Sequence, residues 1–213
     1  MSIIGTFNGM NIVALPSDTF PRVVGPSSIE WDEQEVVASD TCTFTGQMLT
    51  YDWMASWFEG QVSFPPMTRY SHDAWSAFIS ECRGPLNCFL LGDPKAKLPK
   101  GCASGTPVVN GGGQSGYSLS TRGWTPNTVS VLLFGDYIQI GYRLYKVVDA
   151  VNSDSEGNAT LSIWPPLRDL PTDGETIQTR NCKGLFKLKN TSNKRSTNAG
   201  SYGITALDIR EAF

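Results

Sequence analysis

The chain has 213 residues, of which 40% are hydrophobic and 17% charged, enough apolar material for a buried core and too ordered a mixture for intrinsic disorder. Its 17 Lys and Arg against 20 Asp and Glu leave a net charge of −3, which argues against a protein whose main work is electrostatic binding of nucleic acid. With 21 Gly, 13 Pro and 11% aromatics, the composition favours short strands and turns over a helix bundle.

Met1 to Gly5 has neither the basic nor the apolar region of a signal peptide. No apolar run approaches the ~18 residues of a membrane span. The expectation is synthesis in a cytoplasm and no membrane span. Residues 1–28 are rich in turn formers (Asn8-Gly9, Pro16, Pro21, Pro26) and read as an extended arm that docks on a neighbouring subunit. Ile29, Trp31, Val36 and Val37 are strand-like, with acidic residues between them, and Thr43 to Leu49 begins a further strand. Tyr51-Asp52-Trp53 then turns towards the core. Trp31, Trp53, Trp57 and Trp75 read as the large side chains of a small β core.

The stretch from Trp57 to Asp93 predicts strand, helix, strand. Val62 and Phe64 alternate with Gln61 and Ser63, the period of a half-buried strand, and Pro65-Pro66 stops it. Ser71 reads as an N-cap with Asp73 in the first turn, so the helix spans about 71–83. Ala74, Trp75, Phe78, Ile79 and Cys82 form one apolar stripe. Gly84-Pro85 closes the helix, and Cys88 to Leu91 is a second buried strand.

Lys95 to Lys100 is basic and contains a proline, and Gly101 to Pro107 is a linker by composition. Short strands follow at Val108-Val109, 116–120, 123–124, 136–140, 143–148, 159–164 and 176–179, with an apolar segment at 129–134 and Pro165-Pro166 ending the strand at 159–164. Strands at this spacing point to a small barrel, OB-like as the first choice. From Asn181 the texture returns to that of the first portion. The expected fold is mainly β with one short α-helix: a β-sandwich or barrel belt domain over 1–102 plus 181–213, with an OB-like β-barrel inserted over 103–180.

Five cysteines without a CxxC, and the single His72 placed on a helix's first turn and read as solvated, argue against zinc and against a histidine-dependent triad. Free thiols are expected, with Cys102 and Cys182 the one pair brought together if the barrel is inserted. Gly111, Gly113 and Gly116 satisfy G-x-G-x-x-G, but strand and turn follow where a dinucleotide site needs a helix. The Asn152 to Gly157 turn lacks the full ligand series of a calcium loop. The expectation is therefore no catalytic residues, no cofactor and no metal. Trp124, Tyr137, Tyr142 and Tyr145 are candidate stacking surfaces for sugar on the barrel. The basic segment holding Lys187, Lys189, Lys194 and Arg195 is a candidate inter-subunit contact.

Three runs carry a resemblance. They are Gly60 to Arg69 with Ala74-Trp75 and Phe78, then Phe89 to Pro94, and then Gly135 to Gly141 with Leu144 to Val147 and Gly157 to Arg168. Together they resemble the distal tail proteins of siphophages, in the short form with an OB-fold inserted in a β-rich belt domain. The resemblance covers the middle two thirds of the chain. It implies a virion structural protein rather than an enzyme: a hexameric ring in the baseplate or tail tip. Its partners would be tail tube protein on one face and hub, tip or tape-measure protein on the other, with side fibres or host glycans as further partners. The alternative is a carbohydrate-binding tail accessory module that touches the host surface through the barrel aromatics.

Overall fold

The computed structural model describes residues 2–192, 194–198 and 201–213. In chain order the elements are β1 (Ile3–Phe7), β2 (Met10–Val13), α1 (Pro16–Thr19), β3 (Ser28–Thr41), β4 (Met48–Ser63), α2 (Arg69–Cys82), β5 (Cys88–Leu91), β6 (Gly105–Val109), β7 (Gly116–Trp124) and β8 (Tyr137–Ile140). They continue with β9 (Arg143–Val147), β10 (Ala159–Leu167), β11 (Ile177–Gln178), β12 (Gly184–Leu188), β13 (Arg195–Asn198), β14 (Ser201–Ile204) and β15 (Leu207–Glu211). The protein is mainly β, as its composition predicts, with α1 a single turn beyond the one helix expected. Contacts divide it into two units: Met1–Asp32, Phe58–Asp93 and Lys183–Phe213 in the first, Glu33–Trp57 and Pro94–Cys182 in the second. The division read from the sequence kept 33–57 with the belt.

In the first unit the sheet runs β1-β2-β5-β12-β15-β4-β3. β2 lies parallel to β5, with Ile12 opposite Cys88, while β12 pairs antiparallel with β5 and β15. One sheet face buries Ile12, Cys88, Leu185 and Ala212. α2 covers the other through the stripe predicted for it: Trp75, Phe78, Ile79 and Cys82 are buried. Trp75 meets Phe64 edge-on at 4.6 Å, and Phe78 meets Phe89 at 5.2 Å. Each such side chain contributes about 1.5–3 kcal/mol on leaving water.

Several expectations for this unit need correction. Residues 1–28 are not a free arm: β1 and β2 form a hairpin inside the sheet, Val13 is buried, and Trp75 Nε1 donates to Val24 O at 2.8 Å. Asn8 and Gly9, both at positive φ, make the hairpin turn, and Pro16 opens α1. The helix starts at Arg69, with Thr68 at the N-cap. Ser71 is buried inside it, its Oγ accepting from Val24 N at 3.3 Å. His72 is buried too, its ring 5.2 Å from that of Tyr202. The left-handed residue that ends the helix is Arg83, one place before Gly84.

In the second unit β11-β8-β9-β10-β7-β6 form one sheet that curls almost shut. A bridge between Val108 and Thr176, with Val109 N donating to Glu175 O at 2.9 Å, returns β6 to β11. Inward residues follow the two-residue period: Ala159, Leu161 and Ile163 are buried while Thr160 and Ser162 face out. With Leu119, Ile138 and Val147 they fill the barrel. β10 does not end at Pro165-Pro166 as expected. It continues to Leu167, because its register with β7 shifts between Ser162 and Leu167 and the prolines fall where no ladder N–H is required. The Trp164–Pro165 peptide is cis.

The loop before β8 hangs on one carboxylate. Asp136, 2% exposed, accepts from Lys100 N at 2.7 Å, Gly101 N at 3.1 Å and Leu133 N at 2.8 Å. It thereby ties the incoming linker to the barrel wall. Gly157 stands where a side chain has no room, at φ +77 with a built Cβ 2.3 Å from Trp124 O.

Candidate functional site

The surface that stands out is the far part of the β3–β4 hairpin. Its turn is built locally: Cys42 N donates to Gln47 O at 2.9 Å, Gly46 N to Cys42 O at 2.8 Å, and Gly46 supplies the positive φ. Within the second unit the hairpin is held by its polar residues. Lys146 Nζ pairs with Glu33, Trp164 Nε1 donates to Glu35 Oε1 at 2.9 Å, Tyr117 OH donates to Asp52 Oδ2 at 2.9 Å, and Arg168 donates to Ser56 O. These contacts explain why Glu33–Trp57 goes with the barrel.

Beyond them the apolar side chains lie in the open. Phe44 at the turn is 97% exposed, Leu49 67%, and Trp53 61%; Val36, Val37, Met48, Tyr51 and Met54 are exposed as well. Leu49, Tyr51 and Trp53 sit at i, i+2 and i+4 of β4, on one face, and the Tyr51 and Trp53 rings are 5.0 Å apart. Exposed apolar side chains grouped on one hairpin make it the candidate interaction surface. Sequence reading took Trp53 for a core residue; the same alternation of large apolar residues serves a core in its own chain or an interface with another.

The residues named as candidates from the sequence do not converge. Trp124 and Tyr145 are not surface platforms: both are 3% exposed, inside the barrel. Trp124 Nε1 donates to Thr121 Oγ1, which donates to Ala159 O, each at 2.7 Å, so its one polar atom is consumed in the core. Tyr137 is half-buried, and only Tyr142, beside the Gly141 turn, is exposed. Lys187 is half-buried on β12, opposite Arg210. Lys189 pairs with Glu59 at 2.7 Å, and Lys194 is exposed. The side chain of Arg195 lies outside the described residues.

Carboxylates in the turns serve local structure. In the loop first compared with a calcium site, Asp154 Oδ1 accepts from Glu156 N and Asn158 N, both at 2.8 Å, and the Asn158 bonds hold its carboxyl below its ordinary pKa. Asp173 is lowered likewise, by Arg122 at 2.8 Å and then by Gly111 N. Gly111 therefore spends its N–H on a loop carboxylate. Among the described residues no group of three or more His, Cys, Asp or Glu is placed to hold a metal ion. No described helix is long and apolar enough to cross a membrane.

All five cysteines are free thiols, Cys102 and Cys182 included. Burial pushes Cys82 and Cys182 up to about 12 and raises Cys88. Cys42, at the exposed hairpin turn, is lowered by Thr45 and the backbone of Phe44.

Fold and surface together define a two-unit, mainly β protein that presents an apolar hairpin. No protein-family model matches the sequence, and no curated protein matches it.

Proposed function

We propose that the chain is a structural component of a bacteriophage tail, a distal tail ring subunit that joins the tail tube to the hub or tip complex. The observation that carries the reading is the hairpin tip, whose row of uncovered aromatic and aliphatic side chains needs a partner to leave water. The residue resemblance supplies the kind of partner, and a β-rich unit accompanied by a small barrel, read as the OB-like insert, suits it. In this reading the subunit is made in the host cytoplasm and resides in the virion. Its neighbours are copies of itself, tail tube protein on one face and hub or tape-measure protein on the other. The reading assigns it no reaction. The sugar-binding alternative keeps Tyr142 and the half-buried Tyr137 at the surface, while Trp124 and Tyr145 lie in the core.

Native mass spectrometry tests the reading. The expected result is closed particles of six times the 23.2 kDa chain, or stacked pairs of such rings. A chain that stays single at every concentration, or stops at a two-fold dimer, overturns it.

A further inference from the structure

The barrel sheet of the second unit has two edges, β6 and β11, and they meet around one bridge, Val108 with Thr176. Beside it Val109 N donates to Glu175 O at 2.9 Å. In that antiparallel register Pro107 stands opposite Ile177. Pro107 has no N–H to return to the Ile177 carbonyl, so the ladder is cut there. Beyond the cut the edges part around a cleft of about 490 Å³, lined by residues 105–108 of β6 and 176–180 at β11. Backbone groups alternate in direction along a strand. The Glu175 carbonyl is turned to β6, so Ile177 and Thr179 turn their backbone groups to the cleft. Side chains alternate as well: Ile177 is buried and Thr179 half-buried, while Thr176, Gln178 and Arg180 are exposed.

We propose that this cleft takes one extended peptide strand from another protein, added along β11, with an acidic residue set against Arg180. It needs only the barrel and so goes beyond the ring proposal. The walls select a strand: both are strand edges, and an open edge is a template for backbone pairing. A compact apolar molecule would fill the space and leave the Ile177 carbonyl without a donor. The alternation selects the pattern of the peptide, an apolar residue on the side of Ile177 and then a residue facing out. Charge selects the acidic residue. Arg180 lines the cleft and is exposed, and Asn181 N donates to Lys97 O at 2.6 Å, which places a second exposed basic residue alongside. Among the described residues neither Arg180 nor Lys97 has an ion pair, and no carboxylate lines the cleft. Glu175, just outside it, accepts from Thr172 N at 3.0 Å. The cleft is therefore complementary to a peptide carboxylate.

The test titrates the 15N-labelled full chain with the blocked peptide acetyl-Ser-Val-Glu-Val-Thr-Val-Glu-amide and follows the backbone amides by NMR. The expected shifts fall on the amides that line the cleft, and the Thr179 N–H becomes protected from hydrogen exchange. Two further peptides are N-methylated, one at the valines and one at the residues between them, which removes each row of N–H groups in turn without touching the protein. The peptide that loses the row facing β11 should bind about tenfold or more weaker. Arg180→Glu, at an exposed side chain, should weaken the glutamate peptide about three- to tenfold and favour a lysine-for-glutamate peptide by a similar factor. No shift at millimolar peptide, shifts centred elsewhere, or full binding by both methylated peptides overturns the proposal. The same protection on concentrating the chain alone identifies a second copy as the occupant and overturns it as well. Ring formation, read separately by native mass, stands or falls on its own.

Discussion

Asp136 offers the sharpest test of how the barrel is built. Its two oxygens accept three backbone N–H groups at 2.7–3.1 Å from a side chain 2% exposed. Hydrogen bonds to a charged acceptor are worth about 1.5–3 kcal/mol each, and a buried donor left without one costs about 1–3 kcal/mol. Asp136→Ala strands all three. Lys100 is exposed, so water can take over its N–H, and those of Gly101 and Leu133 bear most of the loss. The expected destabilisation is about 3–5 kcal/mol. Asp136→Asn keeps the shape but points an amide N–H at a backbone N–H, for about 2–3 kcal/mol. Urea unfolding followed by circular dichroism reads both. With a slope of about 1–3 kcal/mol per molar, the alanine variant should move the unfolding midpoint down by about 1–5 M at unchanged slope. If both variants fall within about 1 kcal/mol of the native chain, the carboxylate is not the anchor.

Gly157→Ala should cost about 2–4 kcal/mol, because the new Cβ meets Trp124 O and the positive φ is strained for alanine; a near-neutral thermal shift would contradict this. Alkylation of the free chain at pH 8 should modify Cys42 and then Cys102. Cys82, Cys88 and Cys182 should react only after unfolding, since burial raises their pKa values. Peptide mapping reads the order. The carboxyls of Asp154 and Asp173 are lowered in the folded state. Their stabilisation is therefore complete above the ordinary carboxylate pKa, about 4, and is lost as pH falls through the lowered folded value. Replacing both with Asn should flatten the acid limb of a stability–pH curve, and an unchanged limb would sink the assignment.

Much of the first unit was legible from local pattern. The alternation of Val62 and Phe64, the stripe Trp75-Phe78-Ile79-Cys82 and the run Cys88–Leu91 each encode burial in their spacing. The barrel strands were legible for the same reason. What local pattern could not give was set by partners distant in sequence. β2 finds its place through Ile12 opposite Cys88, and Ser71 and His72 are buried by Val24 and Tyr202. The prolines of β10 are tolerated because of a shifted register with β7. Trp124 and Tyr145 were misplaced on the surface because they point into the barrel, an orientation that one residue of register decides. The hairpin escaped notice because Leu49, Tyr51 and Trp53 alternate as core strands do. The available signal was the charge around them: an apolar strand pair bordered only by carboxylates.

Negative-stain imaging of the assembled native chain tests the central claim most directly. Closed rings of six subunits around an open centre are the predicted class averages, with the Leu49→Ser/Trp53→Ser chain giving isolated subunits under the same conditions. Two-fold dimers, or rings that survive those two substitutions unchanged, would contradict the account.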